Sequence, residues 1–182
     1  WYDQSGNGND ATQITTTKQP KIILDGSIPT NGISFDGDVF LQKTTTDTTT
    51  TATIFGVHTK GTGAVADARP IGYQEGASPG TNSLAFAMDN TLRFDGTFAS
   101  GASQTIPASG LFLSTTIKVS NTETNHFLNS VSNIANSSLT LGDTDVRFTL
   151  GHSSVTPEFS FDGNIEEAIF YTSDKTSDRT DI

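Results

Sequence analysis

The chain contains no cysteine. Disulfides and sulfur redox chemistry are therefore excluded, the compartment cannot be read from disulfides, and stability must come from packing and hydrogen bonds. Basic residues are scarce, 10 against 20 acidic ones, and the formal net charge of -10 repels phosphate backbones, which excludes nucleic acid as a partner. Long apolar runs are missing too. Runs such as 22–24 and 168–171 fall far short of the roughly 18 residues that span a bilayer, so no membrane insertion is expected. There is no initiator methionine, and residues 1–17 lack the basic and apolar regions of a secretory signal. The chain reads as one domain over 1–182, excised from a longer protein with neighbouring domains and large enough to bury a core without staples.

What is present suits strands. Threonine is heavily used, Lys and Glu are sparse, and there are 17 glycines, a mixture that disfavours helices and favours β-structure with turns. Short β-prone runs recur at 21–24, 33–35, 39–43, 52–59, 83–88, 91–94, 111–119, 126–131, 138–141, 146–150 and 164–171. That spacing predicts an all-β sandwich or jelly roll. Residues 52–57 are apolar on both faces and predict a central strand covered on each side. In 111–119 the odd positions are mostly apolar, which predicts a buried odd face and a solvated even face from Ser114 to Lys118. The threonine run at 44–51 reads as an extended loop feeding a strand, 72–82 and 96–110 as rim loops, and 173–179 as a single helical turn capped by Ser or Asp.

A tripeptide occurs three times, as Phe35-Asp36-Gly37, Phe94-Asp95-Gly96 and Phe161-Asp162-Gly163. Each joins an apolar anchor to a dipeptide that favours a tight turn. Together with the opening Asp3-Gln4-Ser5-Gly6-Asn7-Gly8-Asn9-Asp10, with 33–41, with Phe148-Thr149-Leu150-Gly151 and with 161–171, these segments resemble the laminin-G-like, concanavalin-A-like lectin/glucanase superfamily in order and over nearly the whole chain. The resemblance implies an all-β fold of two antiparallel sheets packed face to face, with loops at the rim. It does not imply one function, because a fold hosts many. Tyr2 to Asp10 is also similar to a stretch in an α-L-arabinofuranosidase family, but the similarity ends at that turn and brings no catalytic residue with it. The pair Asn129-Ser130 departs from the Asn-Gly usual in the superfamily, and a wider hairpin is expected there.

The chemistry-bearing residues are few. A glycosidase needs two carboxylates flanking one bond, and the neighbours Glu166 and Glu167 should point to opposite faces of a strand, one to solvent and one hydrogen-bonded at an edge or rim. No acid triplet of the glucanase type is present. His58, His126 and His152 have no partners at catalytic or zinc spacing. Catalytic residues are accordingly expected to be none. Asp3, Asn7, Asn9 and Asp10 lie within one short loop, where they form either an Asx-turned loop or a calcium site, with the turn favoured. For a glycan, an aromatic ring beside amides and carboxylates is the usual equipment. The candidates are Tyr73 with Gln74 and Glu75, and Asn125 with His126, both read as loop positions. Trp1 is expected to pack on the sandwich.

The sequence thus predicts a non-catalytic recognition or adhesion module of an extracellular, cell-surface or virion-surface protein, with a glycan ahead of a surface protein as partner. The alternative is a structural spacer or assembly module of a tail fibre or surface filament, and a glycoside hydrolase is the third reading. No cofactor is required, calcium being the one candidate, and homo-oligomerisation is compatible with these roles.

Overall fold

A computed structural model describes residues 1–22, 26–27, 32–45, 50–63, 68–75, 83–88, 91–94, 104–105, 107, 109–120, 122–135, 146–151 and 160–179. The strands are β1 (Ile33–Asp36), β2 (Leu41–Thr45), β3 (Ala52–Lys60), β4 (Ile71–Glu75), β5 (Ser83–Met88), β6 (Thr91–Phe94), β7 (Gln104–Thr105), β8 (Phe112–Ser120), β9 (Glu123–Leu128), β10 (Val131–Ala135), β11 (Val146–Leu150) and β12 (Asp162–Tyr171). A single turn of 3-10 helix at Thr16–Lys18 precedes them. All strand pairs are antiparallel, and they form two six-stranded sheets, β1-β12-β3-β8-β9-β10 and β2-β11-β4-β5-β6-β7. The fold is the expected all-β sandwich.

The core lies between the sheets. Ile54, Phe112, Leu128 and Ile165 enter it from the first sheet, and Leu41, Ile71, Tyr73 and Leu150 from the second. Tyr73 stacks on Phe170 at 4.7 Å and Phe148 tilts against the same ring at 5.6 Å, so β12 is tied to β4 and β11 across the sandwich. Trp1 packs against this core from the amino end, as expected. β3, between β12 and β8, is buried on both faces over most of its length, also as expected.

Two of the three Phe-Asp-Gly segments pair with each other. Phe35 stands opposite Gly163 and Asp36 opposite Asp162 in the β1–β12 register, and the Gly37 N–H donates to the Phe161 carbonyl at 3.1 Å. Both phenylalanines are buried, their rings 6.3 Å apart. Gly163 holds a φ of +152°, and a Cβ there would collide with the Thr59 carbonyl oxygen and the Phe161 ring.

Several expectations are corrected. In β8 the buried face is the even one: Ser114, Thr116 and Lys118 point inward with Phe112, while Leu111 and Leu113 are 46% and 37% exposed. Two of the inward polar groups are bonded, Ser114 to His58 and the Lys118 ammonium to the Ser120 carbonyl at 2.6 Å, while the buried Thr116 hydroxyl shows no partner among the described residues. The outer face of the same sheet is partly sealed by the segment after β12. Thr53 Oγ1 donates to the Ser173 carbonyl at 2.9 Å and accepts from the Lys175 N–H at 3.1 Å, and the Arg179 guanidinium lies 3.9 Å over the Phe127 ring. Both faces of β8 are therefore largely covered, and alternation alone could not say which one was the core.

The second correction is the hairpin between β9 and β10. It is tight, with Val131 directly opposite Leu128 and only Asn129 and Ser130 between them, both at positive φ, +47° and +71°. This is the geometry of a type I′ turn. Asn129 suits it and also accepts the Leu113 N–H on its side-chain oxygen at 2.9 Å. Third, the proposed rim loop beginning at Gly72 starts instead with β4 through Glu75, while 76–82 lies outside the described residues. Fourth, Glu166 and Glu167 do not point one to solvent and one into an edge. The β12–β3 register slips between Ile165 and Glu167, and both glutamates are exposed within a strand flanked on each side.

In place of the helical turn expected over 173–179 there is a hydrogen-bonded turn at 176–179, closed by the Asp178 N–H on the Lys175 carbonyl at 3.2 Å, with the Asp174 carboxylate accepting the Thr176 N–H at 2.8 Å. The run 138–141 and most of 96–110 lie outside the described residues.

Two substitutions test these constraints by urea denaturation. Gly163→Ala forces a Cβ into main chain and should cost about 2–4 kcal/mol. Ser130→Gly relieves a non-glycine φ of +71° and should stabilise by about 1 kcal/mol, raising Tm by about 2–4 °C.

Candidate functional site

The segment before the 3-10 turn runs along the free side of β2. The Thr12 N–H donates to the Gln42 carbonyl at 2.9 Å and the Gln42 N–H returns the bond to Thr12 at 3.0 Å. This bridge creates a shallow open cleft of about 190 Å³ lined by Thr12, Gln13, Ile14, Gln42, Lys43 and Thr44. The lining combines hydroxyls, amides and an ammonium with one apolar side chain, Ile14, which is 94% exposed. The Lys43 ammonium donates to the Gly8 carbonyl at 3.1 Å, fastening the opening turn to the cleft wall. The Gln13 side-chain oxygen accepts the Thr15 N–H at 2.9 Å, and its main-chain carbonyl accepts the Gln19 amide at 2.8 Å, which holds the other wall.

From the cleft, polar positions continue across the second sheet. The register sets Thr44 beside Arg147, Arg147 beside Gln74 and Gln74 beside Ser83. The neighbouring row runs from Gln42 through Thr149 and Gly72 to Ala85. Gln74, read from the sequence as a loop residue, is therefore in this sheet, one strand from Arg147, and Glu75 stands beside Val146. Tyr73 is not beside them as a sugar platform. It is fully buried, stacked on Phe170 in the core. Asn125 and His126 are likewise strand residues of β9, both buried, with the Asn125 amide donating to Glu123 at 3.2 Å. Sequence reasoning missed the cleft because Thr12 and Gln42 meet only through the bridge. The local signal was limited to their polarity.

The opening turn is closed by its own side chains. One oxygen of Asp3 accepts the Ser5 N–H at 2.8 Å and the other the Asn9 N–H at 2.9 Å, while Asp10 accepts the Asp3 N–H at 2.8 Å. Asn7 donates its amide to Ser5 Oγ at 3.0 Å. The Ser5 side chain, followed by the main-chain N–H groups of Asn9 and Ser5, lowers the Asp3 pKa to about 2. These are the bonds of an Asx-type loop. Among the described residues no three His, Asp or Glu side chains converge as metal ligands. The neighbouring carboxylates Asp36 and Asp38 are paired with Lys21 and Lys18.

One pair imitates catalytic equipment. His58 Nε2 lies 3.0 Å from Ser114 Oγ, but both residues are fully buried and the imidazole is wedged edge-on against Phe112 at 4.5 Å. Burial lowers the His58 pKa to about 3, and burial pushes His126 well below its ordinary value as well. A neutral, sealed dyad can fill the core but cannot reach a substrate. A second, more apolar groove on the outer face of the first sheet is lined by Phe55, Gly56, Val57, Leu113, Glu167, Ile169 and Arg179. Its only polar side chains are Glu167 and Arg179.

The buried histidines make stability pH-dependent. Each binds a proton more readily in the unfolded chain, near the ordinary pKa of 6.5, than in the fold. Stability is therefore complete above about pH 6.5 and is lost below it, for His58 down to about pH 3, by up to about 1.4 kcal/mol per pH unit for each histidine. Urea midpoints at pH 7.5 and pH 5 should differ accordingly, with proton uptake on unfolding at pH 5 approaching one per buried histidine.

No sequence-family profile matches the chain, and no curated protein matches it in sequence. Solved structures do match in fold. Domain 4 of AbnA, an extracellular GH43 arabinanase from Geobacillus stearothermophilus solved with arabinotriose, is similar with a TM-score of 0.62 at 13% identity, over 84% of this chain and 80% of that one. A Trypanosoma rangeli sialidase in complex with 2,3-difluorosialic acid is similar with a TM-score of 0.58 at 11% identity, but the match covers 84% of this chain and only 27% of the sialidase. Domains LG4-5 of the mouse laminin α1 chain are similar with a TM-score of 0.55 at 14% identity, over 79% of this chain and 41% of theirs. At such identities the likeness concerns the fold alone: the chain has a two-sheet antiparallel β-sandwich similar to those of these domains.

Proposed function

We propose that this domain is a non-catalytic carbohydrate-recognition module of an extracellular or virion-surface protein. The observation that carries this reading is the open cleft beside β2, where the polar side chains of Thr12, Gln42, Lys43 and Thr44 surround the exposed Ile14. A sugar ring offers an apolar face fringed by hydroxyls, and such a lining answers both parts. The cleft's volume of about 190 Å³ is below the 300–1,000 Å³ of pockets that engulf drug-sized ligands, which suits one ring of a longer chain lying across the rim. The sandwich shared with an arabinanase domain solved with arabinotriose supports a glycan over a protein partner. The His58–Ser114 pair is sealed in the core, which favours binding over hydrolysis at that pair. The opening turn takes part as a wall closed by its own hydrogen bonds.

A glycan array followed by calorimetry tests the reading, with arabinotriose and acidic oligosaccharides as first ligands. Binding should weaken about tenfold in Gln42→Ala, the loss of one sugar hydrogen bond or about 1.4 kcal/mol, while the main-chain bridge to Thr12 and the melting temperature are retained. An array without hits would favour the spacer reading. Release of reducing sugar, abolished by Glu166→Gln or Glu167→Gln, would make the protein a hydrolase.

A further inference from the structure

A sheet edge presents a row of main-chain N–H and C=O groups that has to be covered, blunted or paired. The two sheets end in β1, β10, β2 and β7. Three of these edges are managed within the chain. Lys21 covers β1 by exchanging hydrogen bonds with Ser34, both at 3.2 Å. Thr12 covers β2 by exchanging them with Gln42, at 2.9 and 3.0 Å. β7 is only two residues long. The exception is β10, which has five residues, no charge and no proline.

The hairpin fixes which groups of β10 face outward. The Asn129 N–H donates to Leu113 on β8, so the odd residues of β9 point to β8 and the even ones to β10. Leu128, His126 and Thr124 are answered by Val131, Asn133 and Ala135. The N–H and C=O groups of Ser132 and Ile134 therefore point away from the sheet. Neither residue has a hydrogen-bond partner on that side among the described residues. Ser132 is exposed, and the neighbouring Val131 side chain is 63% exposed.

We propose that β10 is the seam of a homodimer, in which the edge strands of two copies pair antiparallel about a two-fold axis through Asn133. The outward residues lie symmetrically about Asn133, so Ser132 of each copy meets Ile134 of the other, and every outward N–H and C=O of the two strands is bonded. The seam is self-complementary, as a two-fold interface must be. It also carries no charge, so two chains of formal net charge -10 meet without like charges opposed across it. The two six-stranded first sheets would then run on as one.

The axis places Asn133 opposite its own copy in a non-hydrogen-bonded pair. Cα atoms in such pairs lie about 4.5 Å apart, within the roughly 4.4–6.8 Å that a disulfide bridges. In this cysteine-free chain, Asn133→Cys should oxidise to a covalent dimer visible on a non-reducing gel, and Asn7→Cys, on an exposed turn elsewhere, should do so far more slowly. Sedimentation of the unmodified chain should show reversible dimerisation between micromolar and millimolar concentration. Ser132→Pro removes an outward N–H and leaves the bonds to β9 intact, and Ser132→Lys adds an edge charge. Each should weaken dimerisation at least tenfold with an unchanged circular dichroism spectrum, and the lysine variant serves if the proline variant does not fold. A chain that stays monomeric throughout, with Asn133→Cys cross-linking no faster than Asn7→Cys, overturns the proposal. So does a dimer that survives both Ser132 variants.

Discussion

The pairing of the two Phe-Asp-Gly segments is the constraint on which the rest of the sandwich depends. It brings Asp36 opposite Asp162 and buries Phe35 and Phe161 side by side in the core. The chain passes close enough to Thr59 that only glycine fits at 163. From there Asp162 reaches the next turn, where its carbonyl accepts the Gly61 N–H at 2.8 Å and its carboxylate the Gly63 N–H at 2.6 Å. One strand end thus aligns β1, β12 and β3, and β12 carries Phe170 across the sandwich to Tyr73 and Phe148.

With the first sheet aligned in this way, the second sheet is held by aromatic packing and its edge is finished by the amino-terminal segment. That finishing strand is also what makes the cleft. A bridge of two main-chain hydrogen bonds between Thr12 and Gln42 removes an aggregation-prone edge and leaves a polar groove beside it. The opening turn, tied by Asp3 and Asp10 and anchored by Lys43, stiffens one wall. Edge protection and ligand access are therefore met by the same few residues.

The interior contains more polar groups than a small sandwich needs. His58, Ser114, Thr116, Lys118, Thr124 and His126 are all buried on the inner side of β3, β8 and β9. Where partners are seen they are within the fold, as with Ser114 and His58 or Lys118 and Ser120. Buried polar groups that are bonded restrict the register of the strands that carry them, because a slip by one residue would expose the partners and strand the donors. The acid sensitivity of the fold follows from the same histidines.

Strand content and the sandwich class were legible in the sequence, because β-propensity and side-chain alternation act over a few residues, whereas Asp162 and Gly163, expected in a tight turn, are strand, paired with Asp36 and Phe35. The opening turn was legible for the same reason: Asp3, Ser5, Asn9 and Asp10 satisfy one another within a single loop. What the sequence could not decide is which side of a strand becomes the inside. Alternation separates the two faces of β8 but does not say that a terminal segment will cover the apolar odd face and bury Ile117 and Phe127 there. Nor does it say that Tyr73, beside glycine and glutamine, will stack in the core, or that Asn129-Ser130 will close as tightly as a glycine turn. Those outcomes depend on contacts between residues far apart in the chain, such as Thr12 with Gln42 or Tyr73 with Phe170, and only the tertiary structure decides them because only closure of the sandwich brings those residues together.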